Sequence, residues 1–580
     1  MNANLNAASL FVDELAACGL RHVCIAPGSR NTPLTLAFAA HPSLRVHSLL
    51  DERGAAFYAL GLALATRCPV AVLCTSGSAV ANFFPAVVEA HMSGVPLLVL
   101  TADRPHELRH SGANQTIDQI GFFGGYALWS VDMPLPDNAP SAIVMRNLRT
   151  TAARALATAN GPRPGVVHLN FPFRKPLEPQ PADAPPPTPQ PGRSPHTFIS
   201  RGHISPTPDD LATLLALITA HPRGAIVCGP ANMGAAGDES LHDAVRSLAR
   251  ASGYPIFADP LSGLRNGDLH VIGAYDIMLS NGGPPFDPTL ILRIGAVPTS
   301  AALNAAIAAA PADHRIQISA SGVWADEEHA TSWFLHTDET LLCRELARLL
   351  HEHTHPDAQW LDSWQRASRI AERTLRTALD HDWSDGAAVR TTFDAAPADA
   401  RIFVGNSLTV RHADEFVPAC KAQIFGSRGA SGIDGNVSTA LGIAAADSLR
   451  PTIAVLGDVT MLHDLNGLLT LGRESIANAQ IVLLNNNGGA IFQRLPIARF
   501  DPPFTRLWVT PHDTDFAAAA QAFHLRHARA TNANELRTHL QNGVQIIEVV
   551  TDAQNDLNAR RAARRTVQIT LDQAARMQTD

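Results

Sequence analysis

The chain has 580 residues, 46% of them apolar, and a formal net charge of -8. That length exceeds one core and, at ~150 residues per domain, implies three or four; the acidic balance removes any electrostatic case for nucleic acid or an anionic membrane as partner. No apolar run is long enough to span a bilayer, and seven cysteines without a Cys-x-x-Cys pair argue for reduced thiols and the cytoplasm.

The opening stretch, MNANLNAASLFVDEL, lacks the basic region and apolar core of a signal peptide and reads as a capped amphipathic helix. Up to about residue 180, short β-rich runs alternate with helical patterns, as in parallel α/β folds. HVCIA (22–26), VAVLCT (70–75) and PLLVLTA (96–102) read as buried strands, with DERGAAFYALGLALATR and SAVANFFPAVVEAHMSG as helices between them. Cys18, Cys24, Cys74 and Cys228 lie in apolar stretches and are expected in cores. Residues 174–195 carry nine prolines in 22 positions, so they neither pair in a sheet nor continue a helix and form an extended linker. GAIVCG, PIFADP, LILRIGA and HRIQISA then mark a second α/β segment. Gly229-Pro230 after its first strand is a weak nucleotide-loop signal, better read as a plain turn. His351, His353 and His355 lack a carboxylate or cysteine framework and suit a solvated junction better than a metal site.

From about residue 360 the grammar repeats in RIFVGNS, AQIFGSRG, TIAVLGD and QIVLLNN. The C-terminal ends of these strands are dense in Gly, Asp, Asn, Ser and Arg, and open α/β sheets bind ligands at such ends. The expectation is three doubly wound, parallel-sheet α/β domains, at 1–180, 196–350 and 360–580. Asp458 ends one strand, and Asn486 follows 28 residues later at the end of the next. One crossover thus delivers a carboxylate and an amide oxygen to one sheet edge, and Gly488 adds a backbone carbonyl. Oxygen ligands of this kind suit Mg²⁺ or Mn²⁺ shared with phosphate oxygens. Glycines in NNNGGAIF let backbone approach the phosphates, and Ile491 and Phe492 return apolar surface to the wall.

Gly457-Asp458 followed by Asn485-Asn486 resembles the metal motif of the thiamine diphosphate enzymes, with Val459 where many relatives have glycine. APGSRNTPL, LDERGAAFYALGLA, TSGSAVANFFPAVVEA, LTADRPHELRHSGANQTIDQ, FVGNSLTVR, SRGASGIDG and LNNNGGAIF together resemble one family in particular. It is the 2-succinyl-5-enolpyruvyl-6-hydroxy-3-cyclohexene-1-carboxylate synthases of menaquinone biosynthesis. The resemblance implies a pyrimidine-binding, a middle and a diphosphate-binding domain. It also implies a homodimer or homotetramer, thiamine diphosphate with Mg²⁺ or Mn²⁺, and 2-oxoglutarate and isochorismate as substrates. By the same resemblance Glu52 would hydrogen-bond the cofactor's pyrimidine ring, Ile433 would support its bend, and Gly457, Asn486, Ile491 and Phe492 would line it. Asp458, Asn486 and the Gly488 carbonyl would hold the metal. Ser407 and Arg411 would take the succinyl arm. Ser29, Arg30 and Arg104 would face isochorismate, with Asn114 and Gln115 near the reacting carbon and Arg428 serving either substrate.

One position departs from the family. Relatives commonly carry a basic residue after the third strand of the middle domain, where this chain has Ala301. Alternatives are an acetolactate-synthase-like or 2-oxo-acid decarboxylase enzyme, which needs fewer arginines, and a non-catalytic binding protein on the same scaffold. A nicotinamide-dependent enzyme ranks last, since no Gly-x-Gly-x-x-Gly follows a strand with an acidic residue placed after it.

Overall fold

The computed structural model describes residues 2–181, 183, 188–231, 241–280, 282–351, 356–379 and 383–577. His353 and His355 lie outside these residues. Three six-stranded parallel sheets carry the chain. The first holds β1 (His22–Ile25), β2 (Arg45–Ser48), β3 (Val70–Cys74), β4 (Leu97–Asp103), β5 (Ala127–Asp132) and β6 (Val166–Pro172), in the order β2-β1-β3-β4-β6-β5. The second holds β7 (Gly224–Cys228), β8 (Ile256–Ala258), β9 (Val271–Ile272), β10 (Leu290–Ile294), β11 (His314–Ile318) and β12 (Trp333–Leu335), ordered β12-β11-β10-β7-β8-β9. The third holds β13 (Arg401–Val404), β14 (Gln423–Phe425), β15 (Thr452–Gly457), β16 (Ala479–Asn485), β17 (His527–Ala530) and β18 (Ile546–Val550), ordered β14-β13-β15-β16-β18-β17. The first and third sheets therefore repeat one topology. In each, successive connections leave in opposite directions from neighbouring central strands, β1 beside β3 and β13 beside β15. Such switch points open a crevice at the carboxyl ends of the strands.

The three sheets and their flanking helices match the fold class read from the sequence. The runs expected as strands are strands, because continuous apolar residues suit parallel strands covered on both faces. β3 and β4 are buried throughout. The long helix expected at 78–94 is broken into Ser78–Asn82 and Phe84–Ser93, with Pro85 opening the second piece. The first helix, Ala3–Ala17, is capped by the Asn2 side chain, which accepts from the Leu5 amide. Cys24, Cys74 and Cys228 are buried, Cys18 packs half-buried against the first core, and all seven thiols are free. In 174–195 no described residue is in a helix or strand; Asn2 and Asn4 donate to the carbonyls of Arg174, Pro176 and Glu178, while Arg193 pairs with Asp13 and Glu14. The described residues of this linker are thus tied to the first helix and its cap.

The chain packs as two compact units. One comprises Met1–Arg201, Ser427–Leu449 and His463–Ala479; the other comprises Gly202–Gly426, Arg450–Leu462 and Gln480–Asp580. Within the first unit, helix Glu52–Thr66 lies against helix Asn436–Ala445 at glycine positions on both sides. A methyl on Gly61 would stand 2.0 Å from the Thr439 carbonyl oxygen, and one on Gly442 would stand 2.1 Å from that of Tyr58. Within the second unit, the buried Arg265 guanidinium donates to the Ala258, Asp414 and Val417 carbonyls and pairs with the Asp414 carboxylate, which Tyr275 also contacts. At the switch point of the second sheet, backbone bonds join the ends of β7 and β10. Gly229 donates to Ile294, Ala296 donates to the Pro230 carbonyl, and a methyl on Gly229 would stand 1.7 Å from the Ala296 oxygen. Gly229-Pro230 is thus a turn closed by backbone, not a phosphate cradle.

Candidate active site

The first crevice lies where β1 and β3 end. The Arg30 amide reaches the Thr75 hydroxyl across it at 3.3 Å. Arg30 is buried and donates to the Phe173 carbonyl at 2.8 Å; Arg104, just beyond β4, donates to the Ser76 hydroxyl and, at 2.7 Å, to the Asn114 carbonyl. Both guanidiniums are therefore bonded to neutral oxygens. Burial, and then the neighbouring Arg104 charge, hold the Arg30 pKa below its usual value. Asp103, the nearest carboxylate, pairs instead with Arg109 at 3.0 Å. Gln115 takes a left-handed backbone (φ 56) and its side-chain amide donates to the Ser76 carbonyl at 2.9 Å. Arg30, Arg104, Asn114 and Gln115 are thereby gathered around Ser76, with Ser29 exposed beside Arg30. Two adjacent guanidiniums with no carboxylate hydrogen-bonded to either, though the Asp103 charge is felt by both, are suited to holding an anion.

In the same unit Glu52 is the first residue of its helix and half-buried, near enough to Cys74 for its charge to add to burial in raising that thiol's pKa. Asp51 serves as the cap by accepting from the Arg53 amide, which leaves Glu52 outside that role. Ile433 is half-buried in the segment 427–435, as is Arg428. That segment is held by a buried acid, Glu89, whose two carboxylate oxygens accept from the amides of Gly429 at 2.8 Å and Ala430 at 2.7 Å.

The second crevice lies where β13 and β15 end. Ser407 has φ 68 at the start of helix Leu408–Phe416, and Arg411, one turn on, reaches back to the Ser407 carbonyl at 2.5 Å. Gly457 closes β15 and buried Asp458 opens the next helix. Asp458 accepts from the Val459 amide at 2.7 Å and the Gly488 amide at 2.9 Å, and His512 stands 3.3 Å away. Burial raises the Asp458 pKa, and those two amides and His512 oppose the shift. The three asparagines after β16 do separate work. Asn485 donates to Glu548 at 2.7 Å on β18. Asn487 (φ 59) donates to Asp513 and accepts from the amides of His512 and Asp513. Asn486 donates its Nδ2 to Asp385 at 2.9 Å, while its buried Oδ1 has no partner. Gly488 has φ 135, and a methyl there would stand 2.2 Å from the Val509 oxygen, so only glycine fits this turn. Ile491 and Phe492 follow, half-buried, in a 3₁₀ turn, Ala490–Arg494.

A divalent cation fits this donor set. An orphaned amide oxygen, a buried carboxylate and the Gly488 carbonyl are hard oxygen ligands on one short loop and the strand end it docks on. Sequence reading missed several supports: Asp385, Ser76, Glu89 and His512. Only Ser76 and Glu89 lay inside a quoted motif, and none carries a local signal of its role. At the departure noted above, Ala301 is exposed and opens helix Ala301–Ala309; the middle-segment arginines Arg265 and Arg293 are already paired, Arg265 with Asp414 of the third segment and Arg293 with Asp326.

Comparison with known proteins agrees with this geometry. Residues 5–122 match the thiamine pyrophosphate enzyme N-terminal TPP binding domain, and 408–550 match the corresponding C-terminal TPP binding domain. Three relatives are named 2-succinyl-5-enolpyruvyl-6-hydroxy-3-cyclohexene-1-carboxylate synthase. The protein of Roseiflexus sp. (strain RS-1) is 48% identical over 97% of this chain and 98% of its own. That of Halobacterium salinarum (strain ATCC 29341 / DSM 671 / R1) is 42% identical over 95% and 96%, and that of Geobacillus kaustophilus (strain HTA426) 42% over 96% of each. With relatives 42–49% identical over nearly the whole chain and both thiamine pyrophosphate binding domains matched, the chain belongs to the 2-succinyl-5-enolpyruvyl-6-hydroxy-3-cyclohexene-1-carboxylate synthase family of thiamine pyrophosphate enzymes.

Proposed function

We propose that this chain decarboxylates 2-oxoglutarate and adds the remaining four-carbon succinyl unit to isochorismate by conjugate addition. Carbon dioxide leaves, and the product is 2-succinyl-5-enolpyruvyl-6-hydroxy-3-cyclohexene-1-carboxylate. Bound thiamine diphosphate supplies the electron sink that decarboxylation of a 2-oxo acid needs. Asp458, Asn486 and the Gly488 carbonyl would hold Mg²⁺ or Mn²⁺, which would offset the charge of the diphosphate beside Gly457. Glu52 holds and moves a proton at the aminopyrimidine ring. Ile433, Ile491 and Phe492 supply apolar wall and exclude water. Ser407 and Arg411 bind the distal carboxylate of 2-oxoglutarate. Ser29, Arg30 and Arg104 bind the isochorismate carboxylates, Asn114 and Gln115 flank the reacting carbon, and Arg428 serves either substrate.

The observation that carries the substrate assignment is the Arg30–Arg104 pair, bonded to neutral oxygens alone. A decarboxylase acting on one small 2-oxo acid has no use for a second anion site of this kind. We read the three sheets as pyrimidine-binding, middle and diphosphate-binding domains at 1–180, 196–350 and 360–580. A cytoplasmic homodimer or homotetramer completes the reading. Among the described residues no helix is long and apolar enough to cross a membrane. The test is purified protein with cofactor, Mg²⁺ and both substrates, the product identified by mass. Turnover of pyruvate with none of 2-oxoglutarate would overturn the assignment.

A further inference from the structure

Asn486 presents a chemical ambiguity that its own loop does not resolve. A side-chain amide has a donor end and an acceptor end of nearly equal shape, and only the oxygen can bind a cation. Rotation by half a turn would aim the NH₂ group at the metal. Something must therefore fix which end faces which way. In this chain it is Asp385, the first residue of helix Asp385–Ala395, 101 positions away in sequence. Its Oδ2 accepts from Asn486 Nδ2 at 2.9 Å, and its Oδ1 accepts from the Thr551 hydroxyl at 2.5 Å. Asp385 is 1% exposed, so neither contact is shared with bulk water. Thr551, just past β18, thereby holds the carboxylate in the rotamer that meets Asn486. The result is a chain of donors and acceptors, Thr551 to Asp385 to Asn486, that ends on a buried oxygen without a hydrogen-bond partner, Asn486 Oδ1.

Asp385 also stands in a buried group with His412 and Asp556, whose ligand-type atoms all lie within 4.8 Å of one another. That group is not a second cation site. Both Asp385 oxygens are engaged, and the Arg494 guanidinium already approaches Asp556 Oδ2 at 3.4 Å. The positive charge a metal would bring is supplied by arginine.

We infer that Asp385 is a positioning residue of the metal site: held by Thr551, it fixes the Asn486 amide with its oxygen toward the cation. The inference rests on the reading of Asn486 as a metal ligand. Partners in this position are typically worth ~10–100-fold in metal affinity.

The experiment is a double-mutant cycle read by Mn²⁺ affinity, using electron paramagnetic resonance of the full chain with thiamine diphosphate. Asp385→Ala is expected to weaken Mn²⁺ binding at least ~10-fold. Asp385→Asn, which keeps an acceptor oxygen in place, should recover most of that loss. In an Asn486→Ala background Asp385→Ala should add nothing, because the amide it orients is gone. If Asp385→Ala does not fold, Asp385→Leu carries the same cycle with the space filled. Normal Mn²⁺ affinity in Asp385→Ala, or additive losses across the cycle, overturns the inference while leaving Asn486 a ligand. Normal affinity in Asn486→Ala overturns the metal reading itself, and this inference with it. A merely structural role would lower thermal stability in both backgrounds and leave the cycle additive.

Discussion

Glu89 should control the order of the segment that carries Arg428 and Ile433. Its carboxylate is buried and takes the amides of Gly429 and Ala430 on separate oxygens, with the Ser93 hydroxyl also on Oε1 at 2.6 Å. Glu89→Ala removes the carboxylate acceptor of both amides, Gly429 half-buried and Ala430 exposed. Hydrogen bonds to charged groups contribute ~1.5–3 kcal/mol each, so a central figure is about 2 kcal/mol per amide. Since ~1.4 kcal/mol is tenfold, local opening at Gly429 and Ala430 should become ~30-fold more frequent. Amide hydrogen exchange by mass spectrometry reads this directly in a chain too large for two-state unfolding. Glu89→Gln keeps one acceptor oxygen and should leave one of the two amides protected. The cofactor should bind more weakly in Glu89→Ala, since the segment bearing Ile433 is then held by fewer bonds. Unchanged exchange at 429 and 430 in Glu89→Ala would refute the claim that Glu89 holds this segment.

Asp458→Ala should abolish retention of thiamine diphosphate with an intact fold, because losing the charged ligand costs several kcal/mol of metal affinity; wild-type affinity by calorimetry would count against it. Glu52→Gln should bind cofactor but slow deuterium exchange at the thiazolium carbon by ~10²–10⁴, and an unchanged rate would remove Glu52 from the proton path. Burial holds the His168 pKa near 4, with Thr101 at 2.8 Å from its Nε2. Its neutral form is favoured in the fold, so the stability it contributes is complete above ~pH 6.5 and falls by ~3 kcal/mol as pH drops toward 4; His168→Gln should lessen the wild-type loss of urea resistance over that window and leave the part due to His22 and His412, which burial also holds near 4. Arg411→Ala should weaken use of 2-oxoglutarate by about 2–3 kcal/mol with a smaller effect on isochorismate, and Arg30→Ala the reverse. Equal effects on both substrates would end that division of labour.

How much of this was readable beforehand depends on where a residue's partners lie. Central strands such as β3, β10 and β16 announce themselves as apolar runs. Edge strands such as β2, reading RVHS, and β17, reading HARA, do not, because they are short and partly polar. β18 hides differently: Glu548 interrupts its apolar run, yet is fully buried because Asn485, His527 and Arg529 all bond to it. Three sheets were legible; the two packed units were not. Helix Asn436–Ala445 connects two strands of the third sheet but packs in the first unit, through glycine contacts that no periodicity encodes. The arginines, Asp458 and Asn486 stood inside contiguous motifs. Asp385 did not, since its meaning comes from a residue 101 positions away.

Backbone strain marks the same places as the chemistry. Eleven non-glycine residues among those described have positive φ, and four of them fall at the candidate site: Gln115 and Ser407 themselves, Ser431 between Arg428 and Ile433, and Asn487 between Asn486 and Gly488. Each such residue costs on the order of 1–3 kcal/mol, so it persists only where surrounding bonds over-determine it. Those bonds are present. Gln115 is held by Ser76, Asn487 by His512 and Asp513, and the segment around Ser431 by Glu89. Ser407 is braced by Arg411, the residue proposed to take the substrate carboxylate. That last case has a consequence. A substrate carboxylate that draws the Arg411 guanidinium toward itself loosens the bond holding Ser407 in its left-handed turn. Ser407→Gly, which relieves the turn of that strain beforehand, should therefore weaken 2-oxoglutarate binding by the lost hydroxyl contact and by the strain no longer released on binding. Ser407→Ala keeps the strain that binding releases and loses the same hydroxyl, so it should bind 2-oxoglutarate more tightly than Ser407→Gly; equal binding or the opposite ranking by substrate titration would show that the strained turn is not coupled to Arg411.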